Sequence, residues 1–286
     1  MKYMPNFLLP SIKPKVIDDI VIKENTVGKV IGINLKPFDV NHKPSLDMFL
    51  IDVQKLKTSD DTRLFIEGQE NLNSETLRYI EEYTNMRILN GENIKIKNLS
   101  LVIKEVYAIL KEDPREKEIL IICDNKDMSK KVIKSMAKDF RFITTVGTNK
   151  EEHDDIYNYI LEETGLSLFY TSNIDKILEN YKVIINFMDN VSMDFSRVKR
   201  NSLIFNFGRG KFPSNGKRPP FIEDFAYDAN DLDIVDNKWL YNKIRTDLCE
   251  ALVGNNLRKI GYLYAENRFY TVKEYVNLYT KIKGKL

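Results

Sequence analysis

Two stretches of the chain carry residues that could bind or act on a charged ligand. The first is ILIICDNKDMSKKVIKSMAKDF, from Ile119 to Phe140. An apolar run, Ile119 to Cys123, meets the polar loop Asp124-Asn125-Lys126-Asp127-Met128-Ser129, and Val132, Ile133 and Met136 then recur at helical spacing. A strand that turns tightly into a helix aims backbone N–H groups and the positive end of the helix dipole at whatever lies before it, so such a loop suits phosphate. Lys126 and Ser129 could bind one there. Asp124 and Asp127 oppose it: a like-charge pair at about 4 Å costs roughly 4 kcal/mol at an effective dielectric near 20, before screening. The same carboxylates could instead cap the helix and solvate the loop, with Asp127 or Ser129 as N-cap.

The second stretch, RVKRNSLIFNFGRGKFPSNGKRPP (197–220), is rich in Lys and Arg and has no acidic residue. Gly208-Arg209-Gly210-Lys211 offers flexible backbone amides and two cations, a possible anion cradle, and Asn206 could add a hydrogen bond. The competing reading is structural. Segment 222–236 carries Glu223, Asp224, Asp228, Asp231, Asp233 and Asp236, which could neutralise the basic loop or form an interface. Phe207, Phe212 and Phe221 interleave with the cations, but phenylalanines beside a strand are more often core, so nucleic acid is not the expected partner.

Several chemistries are excluded by what is missing. His42 and His153 are the only histidines and Cys123 and Cys249 the only cysteines, too few and too scattered for a spaced set of zinc ligands. His153, beside Asp154 and Asp155 near a helix start, reads as a surface residue. Cys123, closing an apolar strand, reads as a small core residue rather than a nucleophile. The chain lacks G-x-S-x-G and G-x-x-x-x-G-K-[S/T] motifs. The net charge is +2, with 43% hydrophobic and 30% charged residues among 286. That is a globular balance with no global attraction to nucleic acid. No run approaches the roughly 20 apolar residues that cross a bilayer. The cysteine usage fits a reducing cytoplasm.

The elements that would position these residues follow from periodicity. Residues 1–27, with Pro5, Pro10 and Pro14, read as irregular; 28–35 and 63–68 read as strands, and 45–56 as a strand or short helix. Helices are expected at 73–86 and 98–112, with a short strand at 87–89 between them. The charged segment 112–118 reads as a linker. Regular alternation follows: strand 118–123, helix 129–139, strand 141–146, helix 151–164 stopped by Gly165, strand 166–170, helix 172–181, then strands 182–187 and 203–207. Tyr170, Thr171, Asp189 and Asn190 would join the loops at the strands' carboxyl ends. The tail reads as helices 236–255 and 270–285, the second opened by the capping box Thr271-x-x-Glu274. The domains expected are an N-terminal α/β domain (1–113), a doubly wound parallel Rossmann-like domain (114–221), and a C-terminal helical extension (222–286) packing back.

The rhythm from Glu118 to Phe207, including LEETGLSLFYTSNIDKILENYKVIINF (161–187) and SLIFNF (202–207), resembles the nucleotide-binding domain of shikimate-dehydrogenase and glutamyl-tRNA-reductase-type proteins. It covers about a third of the chain. The resemblance implies oxidoreductase ancestry and a G-x-G-x-x-G loop, whose glycines would fall at Asp124, Lys126 and Ser129. All three are replaced. After the second strand comes Gly147-Thr148-Asn149-Lys150, where Lys150 alone could meet a 2′-phosphate. The expected function is therefore a divergent, non-catalytic relative that senses a ligand or holds a protein partner, without a bound cofactor. The alternative is an active NADP-dependent oxidoreductase on a small anionic metabolite. The candidate ligand-binding residues are Lys126, Ser129, Lys150, Asn206, Arg209 and Lys211; a homo-oligomer is a possible state.

Overall fold

The computed structural model describes residues 14–33, 43–171, 173–191, 194, 196–209, 219–234, 238, 240–254 and 259–283. In chain order, strands β1 (Lys15–Ile22) and β2 (Asn25–Gly32) precede helix α1 (Lys43–Leu56). Strand β3 (Arg63–Leu64), helix α2 (Ser74–Thr84) and strand β4 (Arg87–Ile88) follow, then the long helix α3 (Glu92–Leu110). The alternating part is β5 (Glu118–Ile122), α4 (Lys126–Met136), β6 (Phe142–Val146), α5 (Lys150–Thr164), β7 (Phe169–Tyr170), β8 (Val183–Asn186) and β9 (Leu203–Asn206). The tail holds β10 (Asp224–Asp228), β11 (Lys243–Arg245), α6 (Thr246–Val253), β12 (Tyr262–Ala265), β13 (Arg268–Tyr270) and α7 (Val272–Lys283).

The chain divides into two compact units, one of Met1–Gly91 with Asp228–Asn256 and one of Glu92–Tyr227 with Leu257–Leu286. Helix α3, grouped with the N-terminal domain by sequence, clusters with the second unit. In the first unit β1 and β2 form an antiparallel hairpin turning through Lys23 and Glu24, both at positive φ. Strand β1 lies in the segment expected to be irregular, because Lys-Glu is not one of the Asn-Gly or Asp-Gly pairs that announce such a turn. Helix α1 resolves the ambiguity at 45–56, burying Leu46, Phe49, Leu50 and Val53 against Leu77 and Ile80 of α2. Strands β3 and β4 pair in parallel over two residues only.

The second unit is built on a five-stranded parallel sheet in the order β7-β6-β5-β8-β9. The chain starts in the middle, winds outward to one edge, then returns and winds to the other, which is the Rossmann-like, doubly wound order. The central strands are apolar throughout, as burial on both faces requires: Ile119 to Ile122 and Val183 to Ile185 are inaccessible to solvent or nearly so. Helix α4 buries Val132, Ile133 and Met136, and α5 buries Ile156 and Ile160. The sheet residues Leu120, Ile122, Ile184 and Ile204 pack instead with Leu178, Tyr181, Val198 and Phe221, which come from turns and loops.

Three expected helices differ. Helix α4 begins three residues before the expected 129, because Asn125, not Asp127 or Ser129, is its N-cap: its side chain accepts from the Met128 N–H at 2.9 Å. In place of a helix at 172–181, the described residues hold turns and a 3₁₀ segment, Leu178–Asn180. There the Thr171 and Asn173 side chains accept from the Asn173 and Lys176 N–H groups, giving the backbone an alternative to helix. The expected helix 236–255 is confined to α6, and β11 takes up Lys243–Arg245 before it. The C-terminal segment is thus not a purely helical extension; β10, β12 and β13 form an antiparallel ladder in the second unit. Helix α7 does start at the expected box, with Glu274 accepting from the Thr271 N–H at 2.8 Å and the Thr271 hydroxyl from the Glu274 N–H at 3.2 Å.

Candidate functional site

In a doubly wound sheet, ligands bind beyond the carboxyl ends of the strands, where the winding reverses. Here that point lies between β5 and β8. The loops around it are Cys123–Asn125 after β5, Gly147–Asn149 after β6, Phe187–Asn190 after β8, and Phe207–Arg209 after β9.

The β5 loop spends its groups on itself. Asn125 caps α4, and the Cys123 thiol reaches the Asn125 carbonyl at 3.4 Å. Ser129, 2% exposed, is buried beside the Cys123 thiol. It stands where a third glycine would let helix and strand pack closely, and its small side chain serves that packing. Burial pushes the Cys123 thiol up, and the carboxylates of Asp124 and Glu92 push the same way. Cys123 is therefore a protonated core thiol rather than a poised nucleophile. Lys126 opens α4 and forms an ion pair with Asp155 on α5. That hydrogen bond raises the lysine and lowers the aspartate from their ordinary values.

The β6 loop is capped in the same self-contained way. Asn149 accepts from the Glu152 N–H at 2.9 Å, and Glu152 accepts from the Asn149 N–H at 3.3 Å, a reciprocal capping box on α5. Lys150 is the first residue of that helix and is exposed. Gly147 sits at φ +120, and a Cβ there would lie 2.5 Å from the Cys123 carbonyl oxygen and 3.0 Å from the Met188 sulfur. The loop after β6 thus lies directly on the ends of the β5 and β8 loops.

Beyond β8 and β9 two asparagines close the strand ends. The fully buried Asn186 donates to the Asn206 side-chain oxygen at 2.8 Å and to the Met188 carbonyl at 2.9 Å, and accepts from the Met188 N–H at 3.0 Å. Gly208 packs so tightly that a Cβ would stand 2.0 Å from the Met188 carbonyl oxygen. The Arg209 N–H donates to Asp189 at 2.9 Å. Lys211, with Gly210, Phe212, Lys217 and Arg218, lies outside the described residues. Arg197 pairs with Asp194 of its own loop at 3.3 Å.

All five described candidates stand on one unit. Lys126, Lys150, Asn206 and Arg209 lie at or just beyond its carboxyl edge, and Ser129 one helical turn behind. Lys126 is joined to α5 and Asn206 to β8. Two further titratable groups of this unit, Lys95 and His153, lie where the sequence does not place them. Lys95 on α3 lies 3.8 Å from Asp224 on β10, with side chains 12% and 7% exposed, and its ammonium sits 5.7 Å from the Phe207 ring centre. Lys95 lies on α3 between the buried Ile94 and Ile96, and only the fold reveals that its side chain is largely covered. His153 was expected at the surface and is instead buried, its ring 4.3 Å from that of Tyr170. It lies on the same stripe of α5 as Ile156 and Ile160, three and seven residues on, which the neighbouring Asp154 and Asp155 obscured. Among the described residues, no group of three or more His, Cys, Asp or Glu side chains could hold a metal ion, and no helix is long and apolar enough to cross a membrane.

No protein-family model matches the chain, and no curated protein sequence matches it significantly. Solved structures share only part of its architecture. The ligand-free 5-ketofructose reductase of Gluconobacter sp. strain CHM43 is similar at 12% identity over 68% of this chain, with a TM-score of 0.35. The L-tryptophan dehydrogenase from Nostoc punctiforme is similar at 11% identity over 56% of this chain, with a TM-score of 0.28. The aligned part spans 63% and 43% of those two chains.

Proposed function

We propose that this chain is a divergent Rossmann-like relative of nicotinamide-dependent oxidoreductases that works without ordinary dinucleotide binding, as a ligand-sensing or protein-interaction module. The observation that carries this reading is the state of the loop between β5 and α4. The three positions where a dinucleotide loop needs glycine hold Asp124, Lys126 and Ser129. Lys126 is held by Asp155, Ser129 is buried against Cys123, and Asn125 already occupies the helix N-terminus. A pyrophosphate at this loop would have to displace the Asn125 cap, approach past side chains and face the carboxylates of Asp124 and Asp127. One observation favours the NADP-dependent reading instead: Lys150 is exposed at the loop after β6, where a 2′-phosphate would lie.

Thermal unfolding with millimolar NAD, NADP, their reduced forms and inorganic phosphate tests both. A ligand at 100 times its Kd adds roughly 2.7 kcal/mol, a shift of several degrees. The expected result is no shift with any dinucleotide. A shift with NADP that is lost in Lys150→Ala would overturn the proposal in favour of the reductase. A shift with inorganic phosphate as well would place an anion site on the basic loop.

A further inference from the structure

His153 is 6% exposed, and its Nε2 has no hydrogen-bond partner among the described residues. The ring lies against Tyr170, with centres 4.3 Å apart and planes at 34°, and Tyr157 stands 6.4 Å away. Tyr170 is the last residue of β7, the edge strand of the parallel sheet. That strand is two residues long and pairs only with Thr144 and Thr145. Its other residue, Phe169, is 62% exposed and adds little burial. The attachment of β7 therefore depends on Tyr170, which packs on His153 and donates its hydroxyl to the Thr148 carbonyl at 3.3 Å, and on the buried Leu168 just before the strand. We propose that His153 is an acid-sensitive latch for this edge: neutral, the imidazole stays under Tyr170; protonated, it leaves, and β7 detaches from β6.

The groups around the ring provide for an imidazolium on the Nδ1 side only, through an exposed carboxylate. A protonated histidine carries two N–H donors and needs two acceptors. Asp154, on the same helix, is 3.8 Å from Nδ1 and its side chain is 64% exposed. From β7 the facing group is Tyr170, from the helix itself Tyr157, and the nearby loop contributes Thr148; none of these carries a charge. Thr145 pairs with Tyr170 in the parallel register, so its side chain lies on the same face, yet its hydroxyl does not reach Nε2, and both atoms lack partners. Burial holds His153 below the ordinary 6.5, outweighing the pull of Asp154. The sign follows: the detached state binds the proton more tightly. The latch is intact above pH 6.5 and weakens as pH falls from there toward the lowered value of the closed state.

The test is NMR at pH values from 7.5 to 5 on the full chain, reading the His153 ring titration and the protection factors of the amides at 168–171. Wild type should lose protection below pH 6.5, by up to tenfold per pH unit, with His153 titrating below 6.5. His153→Phe keeps a ring under Tyr170 and cannot charge; its protection factors should not vary with pH. Equal pH dependence in both proteins, or a His153 that titrates at or above 6.5, overturns the latch. If His153→Phe does not fold, wild type alone decides: loss of protection must track the ring titration, and loss without it refutes the proposal. The result is independent of whether the chain binds a nucleotide.

Discussion

Replacing Asn186 by aspartate changes one NH₂ group into an oxygen and leaves the shape of the side chain almost unchanged. Asn186 is fully buried at the end of a central strand. Its NH₂ group donates to two acceptors, the Asn206 oxygen at 2.8 Å and the Met188 carbonyl at 2.9 Å. In Asn186→Asp an oxygen would face both. The other oxygen keeps its bond from the Met188 N–H. An ionised carboxylate here is uncompensated on one side, and by analogy with buried pairs broken on one side it should cost roughly 3–5 kcal/mol. Protonated, the same group donates to one of the two acceptors and loses one hydrogen bond, about 1 kcal/mol. Burial and two facing acceptors raise the folded pKa of the new aspartate above its unfolded value of about 3.9. The sign is then fixed: stability relative to wild type is highest below pH 4 and is lost as pH rises through the raised folded value. Urea unfolding of wild type and variant side by side, from pH 4 to 7.5, measures the difference. A variant within 0.5 kcal/mol of wild type at pH 7.5 would refute the claim that this asparagine pair closes the sheet edge. Asn206 would then be released for a ligand role.

Two further substitutions probe the same edge. Gly147→Ala should destabilise the second unit by about 1–3 kcal/mol, since the positive φ and the Cys123 carbonyl 2.5 Å from the new Cβ leave no flexible group to yield; urea unfolding checks it, and a wild-type midpoint would mean the loop lies off the strand end. Lys95→Met should cost roughly 3 kcal/mol by leaving Asp224 buried without its lysine, and Lys95→Met with Asp224→Leu should recover most of that. A double variant no more stable than the single one would mark Asp224 as needed for its bond to the Phe225 N–H rather than for the pair.

The strands of the parallel sheet were legible because both faces are covered, which turns each strand into an apolar run that needs no partner to be recognised: ILII and VIIN read as strands wherever they lie. The two-residue strands β3, β4 and β7 fall inside the runs 63–68, 87–89 and 166–170, but their length was not legible, because the ends of so short a strand are set by the neighbour it pairs with. Helix ends were legible where two side chains exchange bonds, as at Thr271 and Glu274, and misread where several capping residues crowd one loop. Asp127 and Ser129 suit an N-cap as Asn125 does, and only the path of the chain out of β5 selects Asn125. Buried polar groups were the least legible. His153 sits in a run of charged residues, and its burial comes from the 3.6-residue stripe that it shares with Ile156 and Ile160.

The same comparison bears on why the glycines are missing. A dinucleotide loop keeps glycine because the phosphates must touch backbone, so each N–H it presents is left for the ligand. In this chain one N–H in the first turn of each of α4 and α5, that of Met128 and that of Glu152, meets Asn125 or Asn149, and the strand ends meet Asn186, Asn206 and Asp189. Glycine persists at Gly147 and Gly208, where backbone approaches backbone within the protein rather than at a ligand. Each of these choices stabilises the carboxyl edge from inside and removes a reason for phosphate to bind there. They are consistent with one another across three separate loops. An edge closed in this way by its own side chains leaves the pairing of β7, two residues long with its tyrosine packed on a buried histidine, as the shortest in the sheet.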